Sequence, residues 1–176
     1  MSRLERLEAR ARELSAVGSV ASAIESRKRL QLLCDEMRSC IDGYDWVGFY
    51  LVDPSASGEL VLGPYSGEPT EHVRIRFGCG ICGQAAQRLE VFLVDDVASE
   101  ANYLSCSPEV RSEIVLPVIH EGALAGELDI DSHALANFGP EDLSVLERVA
   151  GLVSGLVCSC SSGLTKEGAG RQSGTE

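Results

Sequence analysis

The sequence predicts an α+β domain, with a six-stranded antiparallel sheet that carries N- and C-terminal helices on one face and a ligand pocket on the other. Three observations predict it. Apart from one short inserted helix, helical periodicity is confined to the two ends of the chain. The middle alternates with period two and is cut by Asp-Gly, Gly-Pro and Glu-Gly turn signals. The clearest central strands each have one wholly apolar face, which needs a helical layer to cover it.

Residues 3–16 read as a helix with Leu4, Leu7 and Leu14 on one side. Gly18-Ser19 interrupts it, and a second helix runs from about 20 to 40 with Val20, Ile24, Leu33, Met37 and Ile41 as its stripe. Asp42-Gly43 stops that helix, and Trp46–Val52 alternates as a strand. Glu59–Leu62 begins a second strand and Val73–Phe77 forms a third. The glycine-rich turn 78–83 leads into a helix over 84–89, and Val91–Val94 is a fourth strand. The stretch 95–110 is long and polar for a loop in a compact domain, and loops of this kind are often functional. Glu113–Ile119 and Leu124–Ile130 form a hairpin around Glu121-Gly122. Pro140 starts a final helix that is apolar-periodic over 143–157. The chain thus divides into N-terminal helices (1–42), a sheet domain with its closing helix (43–160) and a disordered tail (161–176) of low apolar content.

Composition narrows the partners. The chain has 176 residues, enough for one domain with a real core. It carries 15 Lys and Arg against 27 Asp and Glu, a net charge of −12, so a phosphate backbone is repelled and no nucleic acid is expected. No membrane-crossing run is expected either, and the charged N-terminus is unlike a secretory signal. Seven cysteines, an odd number, in a chain too large for a disulfide scaffold point to a reducing, cytoplasmic setting. The N-terminal helices are compatible with a homodimer contact.

Strand alternation groups the polar residues. Val47, Phe49 and Leu51 share one face of the first strand, and Trp46, Gly48 and Tyr50 share the other. By the same rule Glu113, Glu127, Asp129 and Asp131 lie opposite the apolar residues of their strands. One reading of that second face is that it is solvated. A set of large rings beside carboxylates at i, i+2 and i+4 also fits a pocket for an ammonium, since close carboxylates need a cation or protons. Ca²⁺ or Mg²⁺ would suit the carboxylates as well, although no metal is assigned.

Cys34 fits the core stripe of its helix, it and Cys40 read as core or inert cysteines, and Cys158 and Cys160 carry little information. Cys106 precedes Ser107-Pro108-Glu109, which reads as the start of a short helix whose positive end favours a thiolate. Cys82 opens the helix after the glycine turn, and the same reasoning applies. Cys79 and Cys82 form a C-x-x-C pair, which reads as a redox pair, half a zinc site or coincidence. The remaining ligands of a zinc site are missing from the pattern.

The segments WVGFYLVD, LVLGPYSGEP, VRIRFGCGICGQAA, VDDV, NYLSCSPEVRSEIVLPV and GELDIDS, in that order over roughly residues 44–150, resemble the free methionine-(R)-sulfoxide reductases. These are single GAF domains acting on the free amino acid. The resemblance implies a GAF fold, no cofactor, and Cys106 as the catalytic cysteine, with Cys82 matching a second family cysteine. It implies Trp46, Tyr50, Glu113, Asp129 and Asp131 as pocket residues, with the carboxylates holding the substrate ammonium. Glu113, or one of the two aspartates, would protonate the leaving oxygen. It also implies a cysteine sulfenic acid, then a disulfide, then recycling by thioredoxin or a similar reductant. This chain departs from the family at His72, where a further cysteine is usual, and has an extra cysteine at Cys79. Cys79 is then a candidate to pass the disulfide on from Cys82. The alternative is a non-catalytic GAF module that senses a small ligand or oxidant.

Overall fold

The computed structural model describes residues 1–16, 22–104 and 107–169, with side chains as far as Leu164. Helix α1 (Arg3–Ala16) buries Leu7, Ala11 and Leu14, spaced by four and three residues along one side. Helix α2 (Ala23–Cys40) begins at Ser22, whose side-chain oxygen accepts the Glu25 amide at 3.2 Å. Its buried stripe includes Leu30, Leu33, Cys34 and Met37, whereas Ile24 is exposed.

Six strands follow: β1 (Trp46–Val52), β2 (Glu59–Ser66), β3 (Arg74–Arg76), β4 (Phe92–Val94), β5 (Ser112–His120) and β6 (Ala123–Ser132). Helix α3 (Gly80–Arg88) lies between β3 and β4, and helix α4 (Pro140–Ala169) ends the described chain. The strands form one sheet in the order β3-β2-β1-β6-β5-β4, and every neighbouring pair is antiparallel. The predicted hairpin is present between β5 and β6. Glu121 and Gly122 both have positive φ (49° and 81°), the pattern of a two-residue turn that matches the strand twist.

The first core lies between the sheet and α1, α2 and α4. It contains Val47, Phe49 and Leu51 of β1, Ile114, Leu116 and Val118 of β5, and Leu128 and Ile130 of β6. The opposite face carries a second cluster with Trp46, Tyr50, Leu60, Ile75, Ile81, Cys82 and Val115, covered by α3 and the loops. The alternation read from the sequence therefore separates these two layers correctly.

Two expectations need correction at α4. By length and composition the stretch Pro140–Leu164 is apolar enough to cross a bilayer, with a mean hydropathy of 1.5 over its most apolar window. Its apolar side is used internally, because Val145, Leu146, Val149, Val153 and Val157 pack into the first core. The chain is also not a disordered tail from Ser161, since α4 continues to Ala169. The continuation is anchored: the Ser161 hydroxyl donates to the Val52 carbonyl at 2.5 Å, and Gly163 lies against Ala23 of α2. At the other end, the Asp142 carboxylate accepts the Gly139 amide and the Tyr44 hydroxyl, each at 2.9 Å, which ties the start of α4 to the entry of β1.

Candidate active site

Register assembles the acidic cluster. Asp131 pairs with Trp46 on β1 and with Glu113 on β5. Asp129 pairs with Gly48 and Val115, and Glu127 with Tyr50 and Pro117. All four carboxylates are buried: Glu113 is 5%, Glu127 0%, Asp129 0% and Asp131 1% exposed. The solvated-face reading is thus wrong for this sheet, Glu127 included. Among the described residues, the six carboxylate oxygens of Glu127, Asp129 and Asp131 meet no partner at hydrogen-bond geometry.

Buried charges without partners are costly, and the protonated form is favoured instead. Burial, followed by the charges of Asp129, Asp131 and Glu127, pushes the Glu113 carboxyl well above the usual range. Burial and Asp129 do the same to Glu127, and burial, Asp129 and Asp45 do so to Asp131. Burial raises Asp129 to about 7. The Cys82 thiol next to Glu127 and Asp129 counteracts this rise at both carboxyls. Such a cluster holds protons near neutral pH and gains strongly from a bound cation.

Three rings line the site beside β1. Trp46 stacks on Tyr65 with centroids 5.5 Å apart and on Tyr50 at 6.3 Å. The indole lies across Gly48, where a Cβ would come within 2.3 Å of the ring. The Trp46 Nε1 donates to the Glu68 carbonyl at 3.1 Å, and the Tyr50 hydroxyl donates to the His72 carbonyl at 2.9 Å. Tyr65 was not expected here, because Gly63-Pro64 reads as a strand end. In the structure β2 runs through them: Gly48 pairs with Tyr65 and Tyr50 with Leu62, so Gly63 and Pro64 bulge opposite Phe49. A bulge accommodates a proline that has no amide to donate, and it brings Tyr65 over the indole.

The cysteines are partly brought together. Cys79 is the N-cap of α3 and exposed, while Cys82 is the third residue of the helix and buried. The Cys82 Sγ lies 4.0 Å from Glu113 Oε1. His72, Ile75, Cys79, Cys82, Leu104 and Glu113 line one cleft here, closed down to about 10 Å³, space for roughly one water. Asn102, which carries no recognisable signal in the sequence, joins the long loop to the glycine turn. Its side chain donates to the Gly78 carbonyl at 2.9 Å and accepts the Gly80 amide at 3.3 Å.

Cys106 and Ser105 lie outside the described residues. The short helix expected after Cys106 is replaced by a single turn, with the Ser107 carbonyl accepting the Val110 amide at 3.3 Å. Ser107 caps locally by accepting the Glu109 amide, but β5 starts at Ser112, too soon for a helix to develop. The helix end expected beside Cys106 is therefore not formed by residues 107–111. Among the described residues the fold also makes one potential metal-binding trio: ligand atoms of Cys82, Glu113 and Asp129 lie within 4.8 Å of one another. Thiolate and carboxylate ligands together suit a borderline divalent ion, and no spacing in the sequence announces this set.

A six-stranded antiparallel sheet with helices behind it and a buried cluster of acids and rings in front defines an α+β module. Residues 23–157 match the GAF domain family, and the chain belongs to that family. The match includes α2, which the sequence reading set apart with α1. The chain is similar to the free methionine-R-sulfoxide reductase of Saccharomyces cerevisiae, at 37% identity over 62% of this chain and 61% of that one. It resembles the structure of the type II free methionine-R-sulfoxide reductase from Thermoplasma acidophilum (38% identity, TM-score 0.73), covering 77% of this chain and 94% of that one. It also resembles the Neisseria meningitidis free methionine-R-sulfoxide reductase in complex with its substrate (31% identity, TM-score 0.78), with 90% of each chain covered. The chain spans 61–66% of the length of the curated relatives it matches.

Proposed function

We propose that this chain reduces free methionine (R)-sulfoxide to methionine. The observation that carries the reading is the buried cluster of Glu127, Asp129 and Asp131, whose oxygens have no partner among the described residues, beside the rings of Trp46, Tyr50 and Tyr65. A free amino acid supplies both groups that such a site lacks. Its ammonium neutralises the carboxylates, and its thioether-like end packs on the rings. A peptide-bound residue has no ammonium at that position. The similarity to reductases of this name, one of them described with its substrate, supports the same ligand.

In this reading Cys106 supplies the thiol, as the resemblance implies. Oxygen moves from the substrate sulfur to the Cys106 sulfur, so thiol and sulfoxide become sulfenic acid and thioether. Glu113, held protonated by its surroundings, donates to the sulfoxide oxygen as negative charge develops there. The sulfenic acid condenses with the Cys82 thiol to give a disulfide and water. An external dithiol of the thioredoxin class then returns both thiols and becomes a disulfide itself.

The test is turnover in dithiothreitol with free methionine (R)-sulfoxide, the (S) epimer and a peptide containing the sulfoxide. Turnover confined to the free (R) epimer is expected. Equal rates on the peptide would overturn the reading. Binding of the free amino acid without any turnover would instead favour a ligand-sensing GAF module.

A further inference from the structure

We propose that Cys79 and Cys82 form a redox-active disulfide, in which Cys79 is the exposed thiol through which an external dithiol reaches the buried Cys82. The proposal deepens the reductase reading and rests on it for the source of the oxidising equivalents.

The geometry begins at the start of α3. Cys79 is the N-cap, and Cys82 is the third helical residue. These are the two positions whose side chains face each other across the first turn, as the partners of a capping box do. Cys79 makes no side-chain capping bond, so its sulfur is not committed to that role. Both residues line the same cleft, with His72, Leu104 and Glu113. Residues three apart on a helix have Cβ atoms about 5–6 Å apart. A disulfide needs roughly 3.5–4.5 Å, so closure asks for a shift of about 1–2 Å. The backbone at Cys79 can supply it, because glycines flank it on both sides: Gly78 with φ +85° and Gly80 with φ +65°.

Exposure gives the pair its purpose. Cys82 is 5% exposed, whereas Cys79 faces solvent. A disulfide held at Cys82 is sheltered from a protein reductant, whose thiolate must approach one sulfur along the S–S axis. Moving the disulfide to Cys79–Cys82 brings one sulfur to the surface. The Cys79 thiolate attacks the Cys82 sulfur of a Cys82–Cys106 disulfide. That S–S bond breaks, Cys106 leaves as a thiolate and the Cys79–Cys82 bond forms, with no net redox change. The external dithiol then attacks the Cys79 sulfur and Cys82 leaves as a thiolate. The second thiol of the reductant completes its own disulfide, which returns two electrons and leaves two protons for Cys79 and Cys82. Cys82 suits the leaving role, since it lies in the first turn of α3, at the positive end of the helix dipole. Glu113 Oε1, 4.0 Å from its sulfur, is placed to return a proton. The chain thus carries at Cys79 a thiol that serves recycling, while His72 occupies the position where the resembled family has a cysteine.

The experiment has two arms on the full chain. In the first, Cys106→Ser is equilibrated in reduced and oxidised dithiothreitol, then alkylated and mapped by mass. A single two-electron transition to a Cys79–Cys82 disulfide is expected, and it should vanish when Cys79→Ser is added. Serine is a favourable N-cap, so that variant keeps its helix start. In the second, Cys79→Ser is exposed to free methionine (R)-sulfoxide and trapped. The disulfide should remain Cys82–Cys106, where the unmodified chain gives Cys79–Cys82. Its kcat/KM for thioredoxin should fall about tenfold or more, because the exposed route is lost. Failure of the disulfide to form in the first arm overturns the proposal, and so does undiminished thioredoxin turnover in the second. If the unmodified chain makes no methionine while the first arm still yields the disulfide, the reductase reading fails and the redox pair stands.

Discussion

Replacing Asp129 with Asn should stabilise the unliganded protein at pH 8 and weaken its binding of substrate. Asp129 is fully buried, its oxygens meet no partner among the described residues, and burial raises its carboxyl from the ordinary 3.8 to about 7. Below about pH 4 both the folded and unfolded chains hold this proton, and burial costs nothing extra. Between 4 and 7 the unfolded chain has released the proton and the folded chain retains it, so stability declines as pH rises. Above 7 the penalty levels off at roughly 4 kcal/mol, about three pKa units at 1.36 kcal/mol each. Asn has the same shape and no charge, and its amide N–H groups can donate to the neighbouring carboxylates. If relaxation and the other acids absorb half of the penalty, roughly 2 kcal/mol remains, or about 4–8 °C in Tm for a chain of this size. The assay is thermal unfolding of both proteins from pH 5 to 8, with and without free methionine sulfoxide. The mutant's advantage should be small at pH 5, grow toward pH 8 and disappear when ligand stabilises the unmodified protein alone. A flat Tm for the unmodified chain across this range would refute the reasoning, as would a mutant destabilised equally at both ends.

The remaining expectations are more local. Asp131→Asn should raise KM for the free sulfoxide about tenfold, since one charge partner of the ammonium is lost; unchanged kinetics would detach this residue from the substrate. Cys106→Ser should abolish turnover while unfolding at the same temperature, and full activity in that variant would remove the catalytic assignment. Gly48→Val should cost about 1–3 kcal/mol and displace the indole, because a Cβ there meets Trp46 at 2.3 Å and the Tyr65 Cβ at 2.9 Å. Trp46 is the single tryptophan, so its emission reports the change directly, and an unaltered spectrum would mean that the ring does not lie across Gly48. Asn102→Ala should loosen the glycine turn at a cost of about 1 kcal/mol, read as faster amide exchange at Gly80 than in the unmodified chain.

The sequence by itself determined the layers. Period-two alternation in β1, β5 and β6 places Val47, Phe49, Leu51, Ile114, Leu116, Leu128 and Ile130 toward the helices, and it places Trp46, Tyr50 and the four acids away from them. That information is local: a side chain's face follows from the parity of its position. Burial is not local. Whether Glu127 meets water depends on α3 and the loops that close over the second face, and no residue near Glu127 in the chain encodes that cover. Tyr65 joined the rings through a bulge at Gly63 and Pro64, where pairing with β1 overrode a turn signal. The helix beyond Ser161 was hidden for the same reason. Its serines and glycine have weak propensity, and contacts with Val52 and Ala23 hold the helix there. The closeness of Cys82 to Glu113 was likewise decided by tertiary structure, because 31 residues separate them in the chain and only packing of α3 on β5 brings the thiol within 4.0 Å of the carboxyl.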